Sequence, residues 1–230
     1  LNFHLQGQLN EAINCYRKAY DIAPNTPEVT ESFALSLYEN GDVAMAVELF
    51  KGALNANPDN VQLHECLNSM LWETELVEQF GDSYVEALKQ RPDNSELALS
   101  YASMLYLAGR VRQAESIIKA AGLDASNHFD VLSLRGQIEA ELGDYDSAYE
   151  TLSFSLRQLF SQDVARQMVK IDIILKRYSQ AQGLLTTMFA DVPNCQLTWA
   201  LQSLVWRLCG DERYHWLCDY PKFIKVYQLD

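Results

Sequence analysis

Along residues 24–41 the apolar positions Val29, Phe33, Ala34, Leu37 and Tyr38 recur at helical spacing and predict a helix over 27–39. Gly41-Asp42 follows as a tight turn, with glycine free to adopt a left-handed backbone and aspartate placed to cap. A second stripe of Ala46, Val47, Phe50, Ala53 and Leu54 predicts a partner helix over 43–56, stopped by Pro58-Asp59. Small residues at Ala46 and Ala53 let two helix axes approach closely, and Phe50 fills the space between them.

This unit recurs. Pro24, Pro58 and Pro92 stand 34 residues apart, and Ala19, Ala53, Ala87 and Ala121 keep the interval, as do Tyr16, Phe50, Tyr84 and Ile118. Gly7, Gly41, Gly109 and Gly143 share another phase, with Glu75 in the vacant slot. Ala12, Ala46, Ala114 and Ala148 share a third, with Phe80 as the exception. After a one-residue deletion the pattern resumes at Tyr178, Ala181 and Pro193. The register predicts further helix pairs near 61–73/77–90, 95–108/111–120, 129–142/145–158 and 162–175/178–190, then a helix near 196–209 closed by Gly210-Asp211. The first repeat is incomplete, since Leu1–Leu5 supplies only the end of its first helix.

The 34-residue pattern resembles the tetratricopeptide repeat over residues 1 to about 210. The resemblance implies an all-α, right-handed superhelical solenoid of about six helix-turn-helix repeats, near 1–26, 27–60, 61–94, 95–128, 129–161 and 162–195. Capping helices over 196–220 and an extended tail over 221–230 would follow. Repeat three departs most, because Glu75, Gln79 and Phe80 replace the turn glycine and small alanine. Repeat five ends on Phe160 where the others have proline, and Ser155 replaces its usual alanine.

In this family the first helix of each pair lines a concave surface, the default ligand site. By that geometry the inward residues are Glu28, Glu31, Leu35 and Tyr38 in repeat two and Glu65, Ser69, Trp72 and Glu73 in repeat three. Repeat four adds Glu96, Ser103 and Tyr106, and repeat five Gln137. Acidic residues among Tyr38, Trp72 and Tyr106 suggest a groove for a basic or aromatic-containing peptide. The alternative is that the carboxylates form a solvated helix face and the aromatics pack between repeats. The Lys and Asn clamp with which some such domains grip a terminal carboxylate is absent, its places being held by Glu31 with Leu35 and Glu65 with Ser69. Arg166 and Lys170, one turn apart, are the candidate anion contact.

Charge sharpens this picture. The net charge is −13, and residues 1–150 hold 24 acidic and 9 basic side chains against 7 and 9 in residues 151–230. An acidic surface repels the phosphate backbone, so nucleic-acid binding is not expected. No apolar run reaches the roughly 18–20 residues of a membrane span. Five cysteines, Cys15, Cys66, Cys195, Cys209 and Cys218, lack C-x-x-C spacing and read as reduced thiols, mostly half-buried on helices, in a cytoplasmic setting.

Catalytic motifs do not assemble. His128-Phe129-Asp130 with a distant His215 imitates a two-His-one-carboxylate iron triad, but Asp130 reads better as a first-turn carboxylate favoured by the helix dipole. His4 and His64 have no partner at ligand spacing. No nucleophile elbow, Walker loop or dinucleotide fingerprint is present. The chain is therefore read as a binding scaffold without catalytic residues, metal or cofactor.

The tail complicates that reading. Trp206-Arg207-Leu208-Cys209-Gly210-Asp211, Trp216-Leu217-Cys218-Asp219-Tyr220 and Val226-Tyr227-Gln228-Leu229 resemble the segment that joins such repeats to a 2-oxoglutarate/Fe(II)-dependent oxygenase domain in bacterial proteins. That resemblance implies iron ligands beyond Asp230. Phe223–Leu229 itself is β-rich and reads as a strand. Three expectations stand: a protein- or peptide-binding scaffold, a substrate-recruiting module of a hydroxylase, and a self-association module.

Overall fold

A computed structural model describes residues 8–24, 26–74 and 76–217. The described residues form helices and no strand, gathered into two compact units, residues 1–125 and 126–230. The first unit contains α1 (Leu9–Ile22), α2 (Pro27–Glu39), α3 (Val43–Ala56), α4 (Val61–Glu73), α5 (Asp82–Gln90), α6 (Ser95–Leu107) and α7 (Val111–Ala120). The second contains α8 (Phe129–Glu141), α9 (Tyr145–Gln158), α10 (Gln162–Ile174), α11 (Tyr178–Asp191), α12 (Gln196–Cys209) and α13 (Arg213–Leu217). The periodic stripes thus predict these helices to within a residue at nearly every boundary.

In the first unit α1 packs on α2, α2 on α3 and α3 on α4, while α2 touches α4 and α4 touches α6. The small-residue slots are sealed: Ala46 and Phe50 are fully buried, with Val47, Ala53 and Leu54 beside them. Of these, Val47, Phe50 and Leu54 each contribute about 1.5–3 kcal/mol on removal from water before the entropy of ordering is subtracted. The turn between paired helices is left-handed at Gly41, Gly109 and Gly143 (φ +92°, +72° and +87°), the conformation a glycine holds without a Cβ penalty. Between α10 and α11 the same slot is filled by Lys176 at φ +58°, the one non-glycine residue with positive φ among the described residues.

Repeat three corrects the expectation of a continuous helix over 77–90. A 3₁₀ turn occupies Val77–Gln79, and α5 begins only at Asp82 after Gly81, at φ +92°. The cause lies in two linked substitutions. Phe80 stands where the other repeats place a small alanine, and Asn68 stands where α2 and α6 carry Ala34 and Ala102. Phe80 is buried and packs edge-on against Trp72, while the Asn68 carboxamide oxygen accepts the Gly81 N–H at 2.6 Å and its NH₂ donates to Ser83 Oγ at 2.9 Å. The amide group satisfies backbone that the missing helical turn would otherwise leave unpaired. A Cβ at Gly81 would stand 2.6 Å from the Tyr101 hydroxyl, so a side chain there would strain the backbone and force the Tyr101 ring to shift.

In the second unit α8 packs on α9, α9 on α10, α10 on α11 and α11 on α12. Ala148 and Leu152 from α9 meet Val164, Met168 and Ile171 from α10, and Ala165, Val169, Ala181, Leu185, Met188 and Val205 form the next layer. Ser155, in the slot of the usual alanine, is fully buried and is satisfied by Ser133 Oγ at 2.9 Å.

The cysteines differ from the half-buried expectation: Cys15 and Cys209 are exposed, Cys66 and Cys195 intermediate, and all four are free thiols. Residues 1–7, Glu75, Cys218 and the tail expected as a strand lie outside the described residues, as does His4.

Candidate functional site

The first helices of the pairs in the first unit, α2, α4 and α6, form a contiguous row. They carry Glu28, Glu31, Glu39, Glu65, Glu73 and Glu96 and not one lysine or arginine. The unit's cations stand instead on α1, α3, α5 and α7, as Arg17, Lys18, Lys51, Lys89, Arg112 and Lys119, and in the turns at Arg91 and Arg110. Lysine and arginine are thus absent from the row itself, while Arg110, in the turn after α6, stands over Trp72 of α4.

Three of those carboxylates are engaged within the unit. Glu31 Oε1 accepts from Gln62 Nε2 at 3.4 Å and from the Cys66 thiol at 3.6 Å. Glu65 Oε1 accepts from Ser100 Oγ at 2.8 Å, and Glu73 Oε2 from the Tyr38 hydroxyl at 3.0 Å. The pairs 31/66, 38/73 and 65/100 are each 35 residues apart, one repeat and one residue, so they form a recurring bridge between successive first helices. Burial, with the Glu31 carboxylate beside it, pushes the Cys66 thiol up to about 11, which leaves it protonated and unreactive at neutral pH. The hydrogen bond to Glu73, then burial, raises the Tyr38 phenol above its ordinary value.

Glu28, Glu96 and Ser69 are exposed, while Leu35, Ser103 and Tyr106 are half-buried. Leu35 and Tyr38 pack against the core of the unit. Trp72 is 45% exposed, but its indole meets the Phe80 ring at a centroid distance of 5.4 Å, and the Arg110 guanidinium lies 5.9 Å from it and 5.0 Å from Phe80. One part of the indole therefore belongs to packing between repeats and the rest is exposed. In the second unit Gln137 is half-buried on α8, and Arg166 and Lys170 lie on α10. Arg166 pairs with Asp163, so the cation of that couple without a carboxylate at salt-bridge distance is Lys170.

Two arrangements escaped the sequence reading. His64 is buried, stacked on Tyr84 at 4.7 Å, with Nδ1 2.9 Å from Ser83 Oγ and Nε2 2.9 Å from the Pro58 carbonyl. An Nε2–H tautomer satisfies both contacts, Ser83 donating to Nδ1 while accepting from Asn68. Burial lowers the His64 pKa, partly opposed by the Pro58 carbonyl. The other is a buried aspartate, Asp172, on α10. Asn68 in a small-residue slot and Asp172 in a leucine slot were the available signals.

His128 stands just before α8 and Asp130 in its first turn. Among the described residues no three His, Cys, Asp or Glu side chains converge as a metal site would require. No described helix is long and apolar enough to cross a membrane.

Tetratricopeptide-repeat family models match residues 82–138 and 3–26. No curated protein matches the chain. Among solved structures it is similar to PilW, a type IV pilus biogenesis factor, at 16% identity over 82% of this chain and 88% of that one, with a TM-score of 0.65. It is similar to Pseudomonas aeruginosa pilF at 19% identity over 93% and 94%, with a TM-score of 0.61. YrrB, a tetratricopeptide-repeat protein with an unusual peptide-binding site, aligns at 16% identity over 83% and 99%, with a TM-score of 0.55. At these identities the likeness is one of fold. With in-phase helix pairs, sealed alanine slots and left-handed turns agreeing with the family models, this chain carries tetratricopeptide repeats.

Proposed function

We propose that this chain is a protein-interaction scaffold whose row α2–α4–α6 binds a basic peptide. The observation that carries the reading is the segregation of charge, with six glutamates and no lysine or arginine on those three helices. Glu28 and Glu96 supply exposed carboxylates, and the open part of Trp72 supplies a face for a guanidinium or an aromatic side chain. Glu31, Glu65 and Glu73 contribute to the field while they hold successive helices together. YrrB, with the same fold, has a peptide-binding site.

The test is binding of a fluorescent Arg/Lys-rich peptide, followed by anisotropy, to the wild type and to a Glu28→Lys/Glu96→Lys variant. These two positions leave the inter-repeat bridges intact. Affinity at least 10-fold weaker in the variant, and falling with salt, is expected for an electrostatic face. Equal affinity in both proteins sinks the acidic-face reading.

A second reading, self-association, is favoured by the stripe Leu197, Leu204 and Leu208 exposed along α12. A mass that does not change with concentration removes it. The tail's resemblance supports a further use of the same scaffold, recruitment of substrate to an oxygenase. A full-length sequence without an H-x-D…H ligand set would count against that use.

A further inference from the structure

Leu37, Leu71 and Leu105 occupy one register on α2, α4 and α6, and all three are buried to 2% exposure or less. In the second unit that register passes to carboxylates, Glu139 on α8 and, 33 residues on, Asp172 on α10. Glu139 is only partly buried and pairs with Arg135 at 3.2 Å. Asp172 is 1% exposed, and its Oδ1 has no hydrogen-bond partner. Its own helix buries Val164, Ala165, Met168, Val169 and Ile171 around it. An ionised carboxylate in such a place is disfavoured unless a cation or several donors compensate it.

The surroundings compensate it only in part. From α9 come Tyr149 and Asp146, and from the turn before α11 comes Arg177. The Arg177 guanidinium is already bonded to Asp146 Oδ1 at 2.9 Å and lies 5.2 Å from the Tyr149 ring. On α8 the nearest charges in register are the Arg135–Glu139 pair, which neutralise each other. The residues that α11 and α12 bury, Ala181, Leu185 and Met188 with Thr198, Gln202, Val205 and Trp206, add no charge.

We propose that Asp172 makes the second unit pH-responsive: protonated, it completes the core at the α9–α10–α11 junction, and ionised, it loosens that junction. Burial raises its carboxyl to about 6 from 3.8, with Arg177 opposing. Because the folded-state value lies above the unfolded one, the stabilisation from protonated Asp172 is fully present below about pH 3.8 and is lost as pH rises through about 6. The response is thus opposite to that of an ordinary salt-bridged aspartate.

The experiment is thermal unfolding of the full chain in a Trp72→Phe background, where the remaining tryptophans, Trp199, Trp206 and Trp216, all report on the second unit. Wild type, Asp172→Asn and Asp172→Leu are compared at pH 4.5 and 7.5. Asp172→Asn is expected to melt several degrees above wild type at pH 7.5, with most of that gap closed at pH 4.5. The ratio of their unfolding constants should change by about 25-fold between the two conditions. An offset that stays constant with pH overturns the proposal. A ¹³C-carboxyl NMR titration of the wild type decides the matter even where a variant fails to fold: a midpoint near 6 supports it, and one below about 4.5 overturns it.

Discussion

The Glu65 carboxylate on α4 accepts a 2.8 Å hydrogen bond from the Ser100 hydroxyl on α6. Since Ser100 has a single proton to give, the 2.7 Å contact between its oxygen and Tyr84 is donated by the phenol. The chain Tyr84–Ser100–Glu65 therefore runs in one direction and ties three helices together. Ser100→Ala removes the central link and leaves a buried phenol without its acceptor. A loss of about 1–3 kcal/mol in denaturant unfolding is expected, against less than about 1 kcal/mol for Cys66→Ala at the repeat-equivalent and longer 3.6 Å contact. Equal losses at the two positions would deny the network a special role.

Gly81 and Gly41 share φ +92°, but a Cβ at Gly41 meets nothing within 4 Å while one at Gly81 meets the Tyr101 hydroxyl. Gly41→Ala should cost about 1 kcal/mol for the left-handed backbone alone. Gly81→Ala should cost about 2 kcal/mol or more, the excess reporting the clash. Urea melts of the two variants side by side check the difference.

Lys176 holds the left-handed position that glycine fills in earlier repeats. Lys176→Gly is expected to stabilise the second unit by about 0.5–1 kcal/mol, since the backbone strain of an L-residue there outweighs the added freedom of the unfolded chain. A lower melting temperature would show that the Lys176 side chain makes a compensating interaction.

The His64 pKa is lowered by burial, so its folded-state value lies below the unfolded 6.5. The stability it contributes is present above about pH 6.5 and is lost as pH falls through the lowered folded value. Acidification below that point should therefore weaken the first unit, where His64 sits, while Asp172 strengthens the second. Hydrogen exchange followed by mass spectrometry, corrected for the intrinsic pH dependence, should show protection over residues 61–90 falling on acidification. Unchanged protection there would mean that the Ser83 and Pro58 contacts accommodate the imidazolium.

Much of the fold was readable from the chain alone, because the apolar period of a helix pair is set within one short stretch and reappears every 34 residues. The stripes through Phe33, Phe50, Tyr84 and Ile118 placed helices that the structure reproduces. The shortened α5 was only hinted at by Phe80. Its real start depends on Asn68, on another helix and thirteen residues before Gly81, satisfying the backbone there.

The sequence by itself determined which residues form each helix other than the start of α5, which faces are apolar and that α2, α4 and α6 are acidic, because these follow from spacing and side-chain type along a single helix. Only the tertiary structure decided which glutamates bridge repeats and which stay exposed, how much of Trp72 is covered, and that Asp172 is buried with an unpartnered oxygen. Those outcomes depend on groups brought together from different helices, at distances that no period along the chain encodes.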